Sequence, residues 1–398
     1  MRHHVFLSPG IFGFARFAAY DYFGHVERAL ISRFDAAGHQ LFVHVVDVLP
    51  TASIRRRASK LAGDISLAAT GTDPVHLLGH STGGLDARLV AATGVALPVA
   101  PWSMRWLPHL RSVTTMNTPH LGTPLASFFA TSQGQRVLQL LSAFTIVGLA
   151  VGRRPLGLAS VVLGLIGKGD GLPGMAALDR SVDAMRGLVD EARGETVRGY
   201  LAAIRDDQGA VLQLSPEAME LMATSVADRP GVVYQSTASR APTPTAPRYL
   251  ASLRHPSHAA SLAVFAALHE VTARHDPRYP CAAVDLDGRP FAGAATEAAL
   301  LEALGAAPAL DDNDGVVPLR SQLHGRLILG RRRRSPRRAR AAFRTGAGRG
   351  RRRHPYRDRL ASWLAFTVAA STPSSTRSPP ACSALLDVDG AAARPSMR

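Results

Sequence analysis

The chain has 398 residues, of which 46% are hydrophobic, 46 are lysine or arginine and 30 are aspartate or glutamate. This length and apolar fraction exclude a disordered chain and allow a full catalytic core, in one large domain or two ordinary ones. Two cysteines, Cys281 and Cys382, are too few for a disulfide scaffold or a four-thiolate metal site.

The formal charge of +16 is concentrated at one end of the chain. Residues 331–398 hold 17 arginines and three acidic residues, so the first 330 residues carry 29 basic and 27 acidic side chains. A basic surface for nucleic acid or an anionic membrane is therefore not predicted for the main body, and no nucleic-acid partner is expected. We expect one domain over residues 1–330 and an arginine-rich tail over residues 331–398.

Short apolar runs alternate with helical segments through the first 120 residues, and weaker elements follow. This alternation is typical of a parallel sheet with helices on both faces. The expected strands are 5–7, 41–48, 75–78, 112–116, 232–236 and 326–329, and the expected helices are 21–37, 52–69, 84–92, 259–273 and 294–304. Four basic residues of helix 52–69 are expected on a solvated face: Arg55, Arg56, Arg57 and Lys60.

Neither a secretory signal nor a membrane span is predicted. The apolar run 5–7 ends at once in Ser8-Pro9-Gly10, which is too short for a signal peptide. The most apolar region, residues 137–166, is interrupted by Arg153-Arg154-Pro155, so neither half reaches the roughly 20 residues that a span needs. We expect two short amphiphilic helices there, and either a cytoplasmic protein or a chain that lacks its true start.

The sequence Gly79-His80-Ser81-Thr82-Gly83-Gly84 lies between a predicted strand and a predicted helix. A serine hydroxyl is a poor nucleophile unless it is held away from the backbone near a general base, as in a sharp strand-to-helix turn flanked by glycines. Ser81 is therefore the predicted nucleophile, and the N–H of Thr82 at the helix start is a predicted oxyanion donor. The alternative is an ordinary turn serine.

Two further loops offer partners for Ser81. The glycine-bearing loop 10–13 follows the first strand and can supply the second oxyanion donor, with a plain glycine turn as the alternative. Asp314, within Asn313-Asp314-Gly315, can orient an imidazole, although the same pattern also fits a plain β-turn. The neighbouring Asp311 and Asp312 are candidates for a helix cap or a cation site.

Four motifs together resemble bacterial triacylglycerol lipases of the α/β-hydrolase superfamily, over residues 1–330. They are Pro9-Gly10-Ile11-Phe12-Gly13-Phe14, Gly79-His80-Ser81-Thr82-Gly83-Gly84, Asn117-Thr118-Pro119-His120-Leu121-Gly122-Thr123-Pro124 and Asn313-Asp314-Gly315. The resemblance implies an α/β-hydrolase fold, Ser81 as nucleophile, Asp314 as triad acid, and an oxyanion hole formed by the N–H groups of Ile11 and Thr82. The family usually has histidine before the glycine of its oxyanion loop, where this chain has Pro9.

The resemblance also implies a helical lid or cap insertion, which we place at residues 125–230. The apolar segment 137–166 follows the asparagine-containing motif where such lipases insert a lid. A lid needs an apolar face that covers an acyl pocket and meets a lipid–water interface. Core helices of an enlarged cap domain are the alternative. No redox or nucleotide cofactor is implied; many such lipases bind calcium, but the sequence does not identify ligands for it.

The triad base is expected in the loop after the last strand, because this fold uses the chain order Ser, Asp, His. His354 is the candidate, although the family commonly has His-Leu-Asp there and this chain has basic and aromatic neighbours. His324 precedes the last strand, and His80 and His120 lie in family motifs without being the base.

The tail itself has three interpretations: an anion-binding segment, a disordered appendage, or the product of a shifted reading frame. Alanine and aspartate codons GCC and GAC, read one nucleotide out, give CGC and CGA and hence runs of arginine. We favour the shifted frame, because the change in composition is abrupt and falls where a histidine-bearing loop is expected.

The sequence thus predicts a serine carboxylester hydrolase whose partner is an acylglycerol or a similar apolar ester. It does not separate this activity from an acyltransferase or a polyester depolymerase on the same triad. The alternative from another class is a non-catalytic hydrolase-like scaffold whose basic tail binds nucleic acid or anionic lipid. The tail has only four aromatic residues for stacking on bases, which counts against that alternative.

Overall fold

The computed structural model describes residues 1–11, 16–17, 20–48, 50–151, 199, 202, 204, 206–247, 250, 256–274 and 276–332. The strands are β1 (Arg2–Ser8), β2 (Arg16–Phe17), β3 (Tyr20–Asp21), β4 (Gln40–Val45), β5 (Val75–His80), β6 (Leu110–Met116), β7 (Val233–Arg240) and β8 (Arg326–Arg332). The helices are α1 (Gly24–Ala36), α2 (Ile54–Ala68), α3 (Thr82–Ala91), α4 (Pro124–Ala130), α5 (Ser132–Val151), α6 (Gly209–Gln213), α7 (Pro216–Ser225), α8 (Pro256–Ala273) and α9 (Gly293–Leu304). Several expectations lie outside the described residues: Phe12 to Phe14, the second half of the apolar segment, most of the expected cap between 152 and 205, and the tail from 333 onwards, which includes His354.

Six strands form one parallel sheet in the order β4-β1-β5-β6-β7-β8. The chain moves from β1 outwards to β4 and then returns to continue on the other side of β1 with β5. In open sheets of this kind the crevice at such a reversal, at the carboxyl ends of the strands, is where ligands bind. The loop after β1 and the turn after β5 both emerge at that crevice.

Both faces of the sheet are covered by helices. Neighbouring residues of a strand point to opposite faces, so each strand contributes to both clusters. On one face Leu7 and Leu78 pack with Leu30 of α1. On the other face Phe6 and Leu77 belong to the cluster that contains the buried residues of α2 and α3. The predicted α/β-hydrolase fold class, a mostly parallel sheet between helices, is confirmed.

The predicted strands and helices are present, with ends that shift by a few residues. The largest shift at a single strand end is at the end of β7, which runs on to Arg240. The edge strand β8 continues past the expected domain boundary at 330, and Arg331 and Arg332 pair with Ser239 and Arg240. A strand grows by backbone pairing with its neighbour, and charged side chains are well tolerated at a sheet edge.

The first half of the apolar segment lies in a helix that is longer than the short helix expected there. The helix α5 spans 20 residues, from Ser132 to Val151. It begins before the apolar run because the Thr131 hydroxyl accepts a hydrogen bond from the N–H of Gly134 at 3.0 Å, which caps the first turn. Among the described helices, none is long and apolar enough to cross a membrane.

Candidate active site

Ser81 lies in a sharp turn between β5 and α3. Its backbone has φ 53° and ψ −127°, in the left-handed half of conformational space that non-glycine residues rarely adopt. The conformation is held by a hydrogen bond of 2.8 Å from the Ser81 N–H to the carbonyl of Met116. A Cβ atom on Gly79 would lie 2.2 Å from the backbone carbon of Gly83, so only glycine fits where the chain folds back on itself. Ser81 itself is half-buried.

The loop after β1 lies directly against Ser81. A Cβ atom on Gly10 would stand 2.8 Å from the Cβ of Ser81 and 3.3 Å from its Oγ. Ile11 follows Gly10 and is half-buried, and Thr82 is buried at the first position of α3. The fold therefore brings the two segments that carry the predicted oxyanion donors to the same serine.

Asp314 is buried at the same edge of the sheet. Its Oδ1 accepts hydrogen bonds from the N–H groups of Val316 at 2.9 Å and Val317 at 2.8 Å, and its Oδ2 lies 3.2 Å from Nδ2 of Asn117. Asn117 directly follows β6, as Ser81 directly follows β5. Burial raises the pKa of the Asp314 carboxyl to about 6, although the three hydrogen bonds act in the opposite direction.

Two histidines of the family motifs are buried in structural roles. Nδ1 of His80 lies 2.5 Å from the hydroxyl of Tyr22, and burial lowers the pKa of His80 to about 3. His120 contacts Arg88 at 3.1 Å through Nδ1, and burial lowers its pKa well below the usual value. Both imidazoles are therefore neutral at physiological pH, and their Nδ1 atoms are engaged by Tyr22 and Arg88 rather than by Asp314.

The described residues supply no histidine to Asp314: the hydrogen bonds to its carboxylate come from backbone N–H groups and from Asn117. His324 instead bonds the carboxylate of Asp228 at 2.9 Å. His354, the predicted base, lies outside the described residues.

One prediction about this region is wrong: Arg57 is not on a solvated face. Arg55, Arg56 and Lys60 are exposed as expected, but the side chain of Arg57 is 0% exposed and pairs with Asp86 of α3 at 2.8 Å. Arg57 stands four residues before the buried Leu61, so it shares the apolar face of the helix. The four-residue spacing from Leu61 was the one sign in the sequence that Arg57 is buried. The charged partner that makes its burial tolerable, Asp86, lies on another helix.

No metal site is formed within the described part of the chain, where no group of three or more His, Cys, Asp or Glu side chains could hold an ion. Asp312, a sequence candidate for a cap or a cation ligand, pairs with Arg240 and accepts a hydrogen bond of 2.8 Å from the N–H of Ala309. No calcium ligand is assigned among the described residues.

Comparison with known proteins finds sequence relatives that are named triacylglycerol lipase. No family model matches the chain. Over 127 residues it is 33% identical to a triacylglycerol lipase of Vibrio cholerae serotype O1, covering 31% of this chain and 35% of that protein. Over 62 residues it is 45% identical to a triacylglycerol lipase of Pseudarthrobacter phenanthrenivorans, covering 16% of each. The structure of EstA from Clostridium botulinum is 19% identical, with a TM-score of 0.43 over 82% of this chain and 75% of that one.

These matches span about a third or less of the length of the two lipases. The resemblance inferred from the four motifs is confirmed over part of the chain, which is similar to proteins named triacylglycerol lipase across up to 31% of its length.

Proposed function

We propose that the chain is a serine carboxylester hydrolase of the lipase type, which cleaves acylglycerols or similar apolar esters. The observation that carries the proposal is the position of Ser81, in a sharp turn after β5 and against the loop that contains Gly10. Relatives named triacylglycerol lipase support the choice of substrate class. The nearly neutral composition of residues 1–330 suits an uncharged ester.

In the proposed reaction the Oγ of Ser81 attacks the ester carbonyl while a histidine takes its proton, and Asp314 holds that histidine. The N–H groups of Ile11 and Thr82 receive the oxyanion, and each such donor is worth about 3 kcal/mol in the transition state. The histidine then protonates the departing alcohol, and water releases the acyl group by the same steps. His354 is the proposed base.

We further propose that residues 125–230 form a cap over this site. The helices α4 to α7 fall in or beside this range. Val137, Leu138 and Leu140, in the first half of α5, are at most 2% exposed, which supports a packed cap helix there. A rise in hydrolysis when a triglyceride is supplied above its solubility limit, rather than below it, would identify the cap as a lid.

The nucleophile is tested with a fluorophosphonate probe, which labels an activated serine. We expect the full chain to be labelled, the Ser81→Ala variant to lose the label, and Ser59→Ala, a half-buried position of α2, to keep it. Labelling of Ser81→Ala at the rate of the unaltered chain would assign the nucleophile elsewhere. Absence of label from the unaltered chain would favour the non-catalytic scaffold, whose DNA retention would then fall with salt and with removal of the tail.

The base and the tail are tested separately. If His354 is the base, His354→Ala lowers ester hydrolysis by about 10³-fold or more, and unchanged hydrolysis would exclude it. Reading the gene in its other two frames from the codon for Gly330 tests the shifted-frame proposal. The proposal fails if neither frame encodes a histidine-bearing loop followed by a helix.

A further inference from the structure

The peptide unit between Pro9 and Gly10 is held at both of its polar atoms. Nη2 of Arg57 donates to the carbonyl oxygen of Pro9 at 2.6 Å, and the N–H of Gly10 donates to the hydroxyl of Tyr22 at 3.3 Å. In a trans peptide the C=O and N–H point in opposite directions. The two side chains therefore hold a single peptide plane from opposite sides.

Arg57 is itself fixed by the helix that carries the nucleophile turn. Its Nε donates to the Asp86 carboxylate at 3.1 and 3.0 Å, and its Nη2 donates to the same group at 2.8 Å. The hydroxyl of Ser8 donates to Asp86 at 3.0 Å. Asp86 lies in α3, the helix that begins at Thr82. The oxyanion loop and the helix that supplies the second donor are thus tied to one buried ion pair.

Tyr22 is fixed by the strand that carries the nucleophile turn. Its hydroxyl lies 2.5 Å from Nδ1 of His80, the last residue of β5. Because His80 is neutral, Nδ1 can accept the hydroxyl proton while the hydroxyl oxygen accepts the N–H of Gly10. The Tyr22 ring packs edge-on against Phe23 at 4.7 Å between centroids, and Tyr22 is 4% exposed.

We propose that Tyr22 and Arg57 are positioning residues that clamp the Pro9–Gly10 peptide over Ser81 and so set the geometry of the oxyanion hole. The inference rests on the proposed function. Tyr22 occupies the N–H of Gly10, which leaves the next N–H, that of Ile11, for the substrate.

The test uses Tyr22→Phe and Arg57→Lys in the full chain. Tyr22→Phe keeps the ring and removes the hydroxyl, and Arg57→Lys keeps the charge but lacks the fork that reaches both Asp86 and Pro9. The matched controls are Tyr234→Phe, whose hydroxyl accepts from the N–H of Arg229, and Arg56→Lys, an exposed residue of the same helix.

The first measurement is the rate constant for phosphonylation of Ser81 by a p-nitrophenyl alkylphosphonate, which places a phosphonyl oxygen in the oxyanion hole. We expect a loss of about tenfold or more in both variants and none in the controls. The second is the KM for p-nitrophenyl butyrate, which we expect to stay within about twofold, since the clamp acts on the transition state. A fall in kcat with constant KM separates positioning from a general structural role.

The third measurement is amide hydrogen exchange of the peptide that contains Gly10 and Ile11, which we expect to be faster in both variants. If the unaltered chain does not react with the phosphonate, the proposed function has failed, and hydrogen exchange alone decides whether the clamp exists. If Arg57→Lys does not fold, the phosphonylation rate and hydrogen exchange of Tyr22→Phe alone decide whether the clamp exists. A folded Tyr22→Phe variant with unaltered phosphonylation and unaltered exchange overturns the proposal.

Discussion

The guanidinium of Arg57 and the carboxylate of Asp86 form an ion pair in which both side chains are 0% exposed, with Nη2 and Oδ2 separated by 2.8 Å. The pair joins α2 to α3 beneath the oxyanion loop. Burial raises the pKa of Asp86, and the charge of Arg57 with the hydrogen bonds from Arg57 and Ser8 opposes that rise. Neither charge is tolerable there without the other, because desolvation of an isolated ion costs several kcal/mol.

Asp86→Asn is therefore expected to lower the free energy of unfolding by about 3–5 kcal/mol, since it leaves a buried guanidinium without its counter-charge. Replacing both partners, as in Arg57→Met with Asp86→Leu, is expected to cost less than this single change. Asp207→Asn, which breaks the exposed pair with Arg56, is the control and is expected to cost at most about 1 kcal/mol. Urea unfolding measures all three, and a loss below about 1 kcal/mol in Asp86→Asn contradicts the prediction.

Glycine-to-alanine changes are expected to have opposite effects at two positions. Gly79→Ala places a Cβ 2.2 Å from the backbone of Gly83 and is expected to cost at least about 2 kcal/mol and to abolish labelling of Ser81. Gly63→Ala lies within α2 with no atom within 4 Å of the new Cβ, and is expected to gain up to about 1 kcal/mol. Thermal unfolding measures both, and a stable, labelled Gly79→Ala variant would show that the turn tolerates a side chain.

The stability of Asp314→Asn relative to the unaltered chain is expected to depend on pH. The pKa of Asp314 is raised from 3.8 to about 6 in the folded state, so its contribution favours folding below pH 3.8 and is lost as the pH rises through 6. The asparagine variant does not ionise. Its free energy of unfolding, relative to that of the unaltered chain, should therefore rise by about 3 kcal/mol between about pH 4 and pH 7. Denaturant unfolding at several pH values tests this, and a constant difference between the two proteins contradicts it.

His76 is expected to make the fold sensitive to acid. Burial lowers its pKa to about 4, and the charge of His3, whose Nδ1 lies 3.2 Å away, acts in the same direction. The contribution of neutral His76 to the free energy of unfolding is fully present above pH 6.5 and is lost as the pH falls towards 4. The loss is about 2 kcal/mol by about pH 5. His76→Gln should show a flatter decline than the unaltered chain. Equal declines in the chain and in His76→Gln would contradict this.

Much of the fold could be predicted from the sequence because its signals are local. Strand and helix periodicity depends on residues within a few positions, and it located the strands of the sheet and most of their helices. The serine turn was equally local, since the two glycines and Ser81 lie within five residues. The ends of β7 and β8 were placed less well, because their length depends on the backbone pairing between the two strands.

What the sequence by itself determined is the alternating α/β framework and the candidate residues Ser81 and Asp314, since each is marked by its immediate neighbours. Only the tertiary structure decided which of the polar residues are buried and what they hold. Arg57 meets Asp86 across 29 residues, and Tyr22 meets His80 across 58. A charge or hydroxyl far from its partner in the chain has no local signature, because the free energy that permits its burial comes from the partner that folding brings to it.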